Sequence, residues 1–313
     1  MEIEIKKYNP ERKKEWDAFV SFSKNGTFLF YRDFMEYHSD RFTDYSLLFY
    51  HKEKLVALLP ANIQNNILYS HQGLTYGGLI MGISATTKIV LDIFECLIEY
   101  LKENRIHWLI YKAVPHIYHK LSAEEDLYAL YQNKAILAGR SISSCIVQQN
   151  KIKYSELRKR GVKKAQANHL QVEENSDFCK FWQILEENLS QRFSVSPVHS
   201  LSEISYLKET FPDNIRLFQV NDHDGEIVAG CVVFETDRVA HIQYISASTK
   251  GKETGALDFL FAHLITNIYQ DKPYFEFGIS TENNGAYLNE GLISQKEGFG
   301  GRGIVYDMYQ LDF

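Results

Sequence analysis

The chain has 313 residues, of which 45% are hydrophobic and 24% are charged, and its net charge is −6. Such a composition can bury real cores, which excludes an intrinsically disordered chain, and the length favours two domains of about 150 residues each. No run approaches the roughly 18 to 20 apolar residues that a membrane span requires. The charged, alternating start, Met1 to Lys7, predicts a strand and not a signal peptide, so we expect a cytoplasmic protein.

Cysteine and histidine spacing argues against a metal or redox centre. The two cysteines nearest in sequence, Cys145 and Cys179, are 34 residues apart, which excludes a CxxC-type site and predicts reduced thiols. His116 and His119 have no third ligand of suitable spacing, and Pro115 breaks the helix that such a pair prefers. We therefore expect no metal ion.

The first half contains a series of short elements. The predicted order is a strand at Ile3–Tyr8, a helix at Arg12–Ser23, an aromatic segment at Gly26–Phe34, a hairpin of Tyr45–Tyr50 and Lys54–Ala61, a segment at Leu68–Ile80 dense in glycine and hydroxyl groups, an amphipathic helix at Ala85–Asn104 and a strand at Ile106–Tyr111. Arg32 is the arginine of the aromatic segment, and His71, Tyr76, Gly77 and Gly78 belong to the glycine segment.

A basic segment follows, at residues 151–164. It carries seven positive charges against Glu156 alone, a net charge of +6, so the rest of the chain carries −12. It includes Arg160 and Lys164. Two interpretations are open: a solvated helix face, or a cationic wall for a phosphorylated ligand or a polyanion such as RNA. A single compact helix suits a few phosphates better than an extended nucleic acid.

The second half repeats the element order of the first. Strands are predicted at Ile227–Phe234 and Val239–Ala247, a helix from Ala256 with apolar residues at helical spacing, and a short aromatic strand at Tyr274–Gly278. Asp222–Gly225 is interpreted as a hairpin turn with glycine in the left-handed conformation, not as a metal loop. We infer two related units, 1–145 and 146–313. Two positions are open for the last strand: in the second unit, or packed back on the first unit.

A polar loop is predicted between the second strand and the helix, from Ser248 to Gly255. Free backbone N–H groups at the start of a helix form a ready anion site. We therefore predict donor binding here, with an ordinary surface loop as the alternative. The candidates are Ser246, Ser248, Lys250, Gly251, Lys252, Thr254 and Gly255.

The order strand, strand, glycine loop, helix, strand resembles the core of the GNAT acyltransferase fold. In that family the loop holds the pyrophosphate of coenzyme A, so the resemblance implies acetyl-CoA as co-substrate. The family pattern is Arg or Gln, two residues, Gly, one residue, then Gly or Ala. This chain departs from it, because its glycines are Gly251 and Gly255 and lysines stand where Arg or Gln is expected.

Further motifs resemble the Fem-type proteins, tandem-GNAT enzymes related to the aminoacyl transferases that build peptidoglycan cross-bridges. They are Leu157–Ala165 with the strand and helix after it, Tyr274–Gly278, the Lys-x-Gly-Phe-Gly run Lys296–Gly300, and Tyr76–Gly78 in the first half. The resemblance covers most of the chain. It implies an α/β (α+β) fold of two tandem GNAT-like units, each a mixed, mostly antiparallel sheet flanked by helices.

Acyl transfer to an amine needs an oriented donor, a base and a donor group for the developing oxyanion. Glu276 is the candidate base, with an edge-strand acid beside a basic neighbour as the alternative. Tyr244 shares a strand face with Ser246 and is the candidate acid for the leaving group; hydroxyls facing solvent are the alternative.

Acceptor binding is predicted at several other positions. Lys296 and Arg302 flank Gly298–Gly303 and form a candidate phosphate clamp. The remaining candidates are Arg32, His71, Tyr76, Gly77, Gly78, Arg160 and Lys164.

Three functions remain open. The first is acetyl-CoA-dependent N-acetylation of an amino sugar or sugar nucleotide in surface-polysaccharide biosynthesis, as the resemblance to short Fem-like proteins of bacterial polysaccharide loci implies. The second is transfer of an amino acid from aminoacyl-tRNA to a peptidoglycan precursor; the basic segment favours it, and the absence of the long coiled-coil arm of larger Fem proteins counts against it. The third is a non-catalytic binding protein that keeps the fold, which the departure from the coenzyme A loop pattern leaves open.

Overall fold

The computed structural model of the chain describes residues 3–193 and 195–313, so Met1 and Glu2 of the predicted first strand lie outside the described part. The chain divides into two compact units. Unit 1 comprises Met1–Ile142, Thr281–Tyr287 and Val305–Phe313, and unit 2 comprises Ser143–Ser280 and Leu288–Ile304. Among the described residues, no helix combines the length and the apolar character needed to cross a membrane.

Unit 1 combines short strands with a long helix. Its strands are β1 (Ile3–Lys7), β2 (Thr43–Asp44), β3 (Leu47–His51), β4 (Lys54–Leu59), β5 (Asn62–Gln64), β6 (Ile67–Tyr69), β7 (Ile80–Met81) and β8 (Trp108–Lys112), and its helices are α1 (Lys13–Phe22), α2 (Arg32–Glu36), α3 (Thr87–Glu103) and α4 (Glu125–Gln132). β1, β3, β4 and β7 form one antiparallel sheet in that order. β6 pairs in parallel with β8 and antiparallel with β5.

The predicted periodicity of α3 is confirmed. Val90, Ile93, Phe94, Leu97 and Leu101 are all buried, and they form the stripe that an amphipathic helix turns toward a core. These residues join the strands of unit 1 in one hydrophobic cluster.

The rest of the chain contains the elements that position the candidate site, and most of them belong to unit 2. They are β9 (Ile136–Val147, which begins in unit 1), α5 (Glu156–Ala167), β10 (Gln171–Asn175), α6 (Cys179–Phe193), α7 (Leu201–Thr210), β11 (Ile215–Asn221), β12 (Ile227–Glu235), β13 (Val239–Ala247), α8 (Thr249–Thr254), α9 (Ala256–His263), β14 (Tyr274–Ile279), β15 (Thr281–Glu282), β16 (Tyr287–Leu288), α10 (Glu290–Gly298) and β17 (Arg302–Asp312). β15, the first residue of β16 and most of β17 belong to unit 1.

The sheet of unit 2 runs in the order β10, β11, β12, β13, β14, β9. All neighbours are antiparallel except β13 and β14, which are parallel. A parallel pair needs a crossover connection, and α8 with α9 supplies it. Leu260, Phe261, Leu264 and Ile265 of this crossover pack in one core with Phe275 of β14. The predicted fold class, mixed α/β with mostly antiparallel sheets flanked by helices, is confirmed.

The predicted loop from Ser248 to Gly255 is wrong, because most of it is helical. Ser248 ends the strand and caps α8: its Oγ accepts a hydrogen bond from the N–H of Gly251 at 3.2 Å. Gly255 ends α8 in the left-handed conformation, at φ 78°, and α9 begins at the next residue. Gly225, predicted to be left-handed in the hairpin turn before β12, has φ 80°.

Candidate active site

The candidate site of unit 2 lies where β13 and β14 stop pairing. The two parallel strands pair at only three positions, and the last pair is His241 opposite Glu276. Both strands are irregular just beyond this pair. Gln243 is skipped in the ladder of β13 with β12, and β14 turns at Gly278, with φ 77°. Bulges of this kind redirect side chains and are frequent next to active sites.

Glu276 is the centre of a buried hydrogen-bonded cluster at this position. Its carboxylate accepts hydrogen bonds from Ser143 Oγ, from His241 Nδ1 and, at 3.0 Å, from the N–H of Gly278. The Glu276 side chain is completely buried, whereas the His241 side chain retains 10% of its surface exposed. The small exposed fraction of this pair therefore belongs to the imidazole, and the acid has none.

The carboxylate of Glu276 stays ionised in this environment. Burial by itself would raise its pKa, but the attraction of His241, the hydrogen bonds from His241 and Ser143, and the charge of Lys296 together outweigh burial and hold the pKa below its usual value. An ionised carboxylate only accepts hydrogen bonds, so His241 must present a protonated Nδ1 to it.

Lys296 supplies the second charge near Glu276. Its Nζ donates hydrogen bonds to the carbonyl oxygens of Gly278 and Ile279, at 2.7 and 2.8 Å. Burial lowers the pKa of this ammonium to about 8, although the charge of Glu276 acts in the opposite direction. Lys296 thus stabilises, through these two hydrogen bonds, the turn that β14 makes after Glu276.

Tyr244 lies on β13 beyond the bulge, in contact with Trp182 of α6. Its hydroxyl lies 2.5 Å from His199 Nδ1 and accepts a hydrogen bond from the N–H of His199 at 3.2 Å. The backbone and the ring of His199 thus both engage this hydroxyl. Burial raises the pKa of Tyr244 to about 12.

The predicted donor-binding side chains lie close together, but their polar groups bond within the protein. Asn188 of α6 donates to Ser246 Oγ at 2.8 Å and accepts from Lys252 Nζ at 2.6 Å. Lys250 forms an ion pair with Asp222. Thr254 Oγ1 donates to the carbonyl of Lys250 within α8.

The two glycines of this segment face protein backbone. A Cβ on Gly251 would clash with the carbonyl oxygen of Val228 on β12, and a Cβ on Gly255 would lie 2.5 Å from the carbonyl oxygen of Gly161 on α5. Gly251 therefore permits α8 to approach β12, and Gly255 permits α5 to cross the start of α9. Packing against protein backbone therefore accounts for both glycines, and neither of them is evidence for the pyrophosphate site that the family pattern implies.

The acceptor candidates of unit 1 lie in its interior. Arg32 is buried; it forms ion pairs with Glu36 and Asp44, and its guanidinium lies 3.7 Å from the ring centroid of Tyr8. His71 is buried beside His38, and burial lowers its pKa to about 3.

The glycine segment of unit 1 is likewise packed inside. Tyr76 is buried and donates a hydrogen bond to Thr27 Oγ1 at 3.2 Å. A Cβ on Gly77 would clash with the carbonyl of Ser70, and one on Gly78 would lie 2.8 Å from the ring of Tyr111. The contacts of these three residues are structural contacts within unit 1.

One of the remaining acceptor candidates, Arg302, lines an open groove of about 800 Å³ in unit 2, between the start of α5 and α10. Arg302 and Arg158 line it, together with Ser155, Gln295 and Glu297, whereas Lys296 is not among the lining residues. Arg158 forms an ion pair with Asp258 of α9 at 2.5 Å. Arg160 and Lys164 are exposed on α5.

His241, Ser143, His199 and Asn188 were not predicted from the sequence. His241 carried one usable signal, its position on an inward-facing site of a strand that runs beside the strand of Glu276. Of the described residues, the cluster Asp222, His223 and Asp224 could hold a metal ion by distance alone. Asp222 is already engaged by Lys250 and by the N–H groups of its own turn, as the hairpin interpretation predicts.

Comparison with known proteins identifies the same region. Residues 154–287 match the family described as acetyltransferase (GNAT) domain. Sequence comparison with curated proteins gives no match.

Solved structures resemble the chain over its whole length. It is similar to FemX, with a TM-score of 0.69 and 9% identity over 99% of this chain and 97% of that one. It is also similar to L-PGS from Bacillus licheniformis, with a TM-score of 0.64 and 13% identity over 96% and 91% of the two chains. A tandem GNAT protein from the clavulanic acid biosynthesis pathway gives 0.52 and 10% identity over 99% and 98%. At such identities the likeness establishes the fold.

Proposed function

We propose that this chain, an acyltransferase with a GNAT domain in residues 154–287 on a fold shared with FemX, moves an aminoacyl group from aminoacyl-tRNA to an amine of a cell-wall precursor. The observation that carries the proposal is the position of α5. It crosses the start of α9 at Gly255, over the segment that would hold coenzyme A, and its outer face is cationic.

The cationic face of α5 supports a polyanionic donor. The exposed cationic residues of α5 and of the stretch just before it are Lys151, Lys153, Arg160, Lys163 and Lys164. The one acidic residue of this stretch, Glu156, is paired with Lys159 at 2.7 Å, and residues 151–164 keep a net charge of +6. Lys and Arg side chains that meet phosphates release counterions, which makes such a surface attractive to RNA.

The end of the β13–β14 ladder supports the chemistry. Aminolysis of an ester requires a nucleophilic amine, a proton acceptor and a donor to the developing oxyanion. The Gln243 peptide is skipped by the ladder with β12, which makes its N–H the candidate oxyanion donor. Glu276 with its partners supplies the proton-accepting chemistry beside it.

A second candidate is N-acetylation of an amino sugar with acetyl-CoA, as first expected. The acetyltransferase description of the matched family favours it. A saturable stabilisation by acetyl-CoA, roughly 2.7 kcal/mol at a hundredfold excess over its dissociation constant, would favour this candidate.

The experiment is a titration of the chain with bulk tRNA at several salt concentrations. The triple variant Arg160→Ala, Lys163→Ala, Lys164→Ala should bind more weakly, and the slope of log K against log salt should fall by about 2. The matched control removes three other exposed lysines, Lys54, Lys88 and Lys102, all in unit 1. Equal losses in both variants would show non-specific charge attraction and would contradict the proposal.

A further inference from the structure

We infer that His241 is the general base of the transfer, and that Glu276 and Ser143 are positioning residues that fix its tautomer. This inference rests on the proposed function, because it names the residue that takes the proton of the attacking amine. It also reassigns Glu276, the base expected from the sequence, to a supporting role.

Burial separates the two roles. The Glu276 carboxylate has no exposed surface and accepts three hydrogen bonds, from Ser143, His241 and Gly278. A substrate amine would have to displace one of these donors to reach it. His241 keeps 10% of its side chain exposed, at the last pair of the β13–β14 ladder.

The hydrogen bond to Glu276 decides which ring nitrogen is basic. With Nδ1 protonated and donated to the carboxylate, the lone pair of the neutral ring is on Nε2. A neighbouring carboxylate also stabilises the imidazolium that forms when Nε2 takes a proton, as in other acid–histidine pairs. Gly278 lies beside the ring, since a Cβ on it would be in van der Waals contact with His241 Cε1, at 3.7 Å.

His241 takes up one proton during the reaction and returns it before the end. As the amine nitrogen forms its bond to the carbonyl carbon, Nε2 takes one proton from that nitrogen. As the carbon–oxygen bond of the donor ester breaks, the imidazolium returns this proton to the leaving oxygen. The products are an amide and a free hydroxyl, and His241 ends neutral.

The first test measures the tautomer of the His241 ring by NMR and does not need a transfer assay. The full chain is labelled with 15N-histidine, and the His241 signals are assigned by their absence in His241→Gln. The inference predicts that the neutral ring carries its proton on Nδ1, and that Glu276→Gln moves the population toward the Nε2-protonated form. The control Ser144→Ala, next to Ser143 but outside the cluster, should leave the tautomer unchanged. A wild-type ring protonated on Nε2 would overturn the inference.

The second test uses transfer from aminoacyl-tRNA. His241→Gln should lose a factor of 10² to 10⁴ in kcat with little change in KM, and added imidazole should restore part of the activity of His241→Ala. Glu276→Gln should lower kcat and also lower the unfolding midpoint, so its activity is measured at a temperature where the unfolding curve shows an intact fold.

The two possible failures are distinguishable. Transfer by wild type together with equal transfer by His241→Gln would remove His241 as the base and leave the proposed function standing. No transfer by wild type from aminoacyl-tRNA would remove the proposed function, and the base assignment with it.

Discussion

Gly255 packs against the carbonyl group of Gly161, so that the backbone at the end of α8 contacts the backbone in the middle of α5. This contact lies at the end of the segment that the sequence offers as a coenzyme A loop. It also predicts a measurable cost of adding a methyl group at Gly255.

Gly255→Ala should destabilise the protein more than Gly225→Ala. Both glycines have nearly the same left-handed φ, 78° and 80°, so the backbone strain is matched. A Cβ on Gly225 meets nothing within 4 Å, whereas one on Gly255 would be 2.5 Å from Gly161 O. The extra cost should be about 1 to 3 kcal/mol in denaturant unfolding, the usual range for overpacking. Equal costs would mean that α5 is not held against α9 at this point.

Ser143→Ala should cost more stability than Ser144→Ala. Both serines are buried, but Ser143 donates to the ionised Glu276, and Ser144 Oγ has no partner among the described residues. Losing a hydrogen bond to a buried charge should cost about 1.5 to 3 kcal/mol. Removing an unpaired hydroxyl should be neutral or stabilising. The measurement is the urea midpoint of each variant. A larger loss of stability in Ser144→Ala than in Ser143→Ala would exclude the Ser143–Glu276 hydrogen bond.

Tyr244→Phe and Tyr269→Phe form another matched pair. The Tyr244 hydroxyl is bonded to His199, whereas the buried hydroxyl of Tyr269 has no partner among the described residues. We expect Tyr244→Phe to lower the free energy of unfolding by about 1 kcal/mol and Tyr269→Phe to leave it unchanged or raise it. In the transfer assay Tyr244→Phe should retain kcat, because this hydroxyl is engaged by the backbone and the ring of His199. A loss of kcat of a hundredfold or more would restore Tyr244 as the acid.

Lys296 should make stability depend on pH between about 8 and 10. Burial lowers its folded-state pKa to about 8, against roughly 10.4 in the unfolded chain. In this window the unfolded chain binds more protons at this position than the folded one, so raising the pH favours the folded state. Relative to Lys296→Met, wild type should therefore gain on the order of 1 kcal/mol per pH unit.

The comparison needs unfolding measured at pH 7, 8 and 9.5 for wild type and both variants, with Lys102→Met as the control at an exposed position. A constant difference between wild type and Lys296→Met over this range would contradict the assignment of Lys296 as a buried ammonium.

The regular elements of unit 2 were predictable because each has its own local signal. The alternation of Val239–Ala247 predicts β13 with its observed bounds, and the helical spacing from Ala256 predicts α9. The helix at 249–254 was not predictable from propensity, since Gly251 inside it and Gly255 just after it suggest a loop. What makes it helical is the cap by Ser248 and the approach to Val228, which only the folded chain shows.

The candidate site could be predicted only in part, for a related reason. Glu276 is conspicuous as an acid in an aromatic strand. Its partners His241 and Ser143 are 35 and 133 positions away in sequence, and they meet it through the register of β13 and β9 with β14. Register between distant strands is a property of the assembled sheet. No local sequence pattern specifies this register.

The most direct test of the account is a transfer assay with two labelled donors. The purified chain is incubated with bulk tRNA charged with 3H-labelled amino acids, or with 3H-acetyl-CoA, and each donor is offered both nucleotide-linked peptidoglycan precursors and amino-sugar nucleotides. The account predicts that label moves from aminoacyl-tRNA to an amine of the peptidoglycan precursor, and that His241→Gln abolishes this transfer. Label that stays on the tRNA while acetyl groups move from acetyl-CoA to an amino sugar would contradict it.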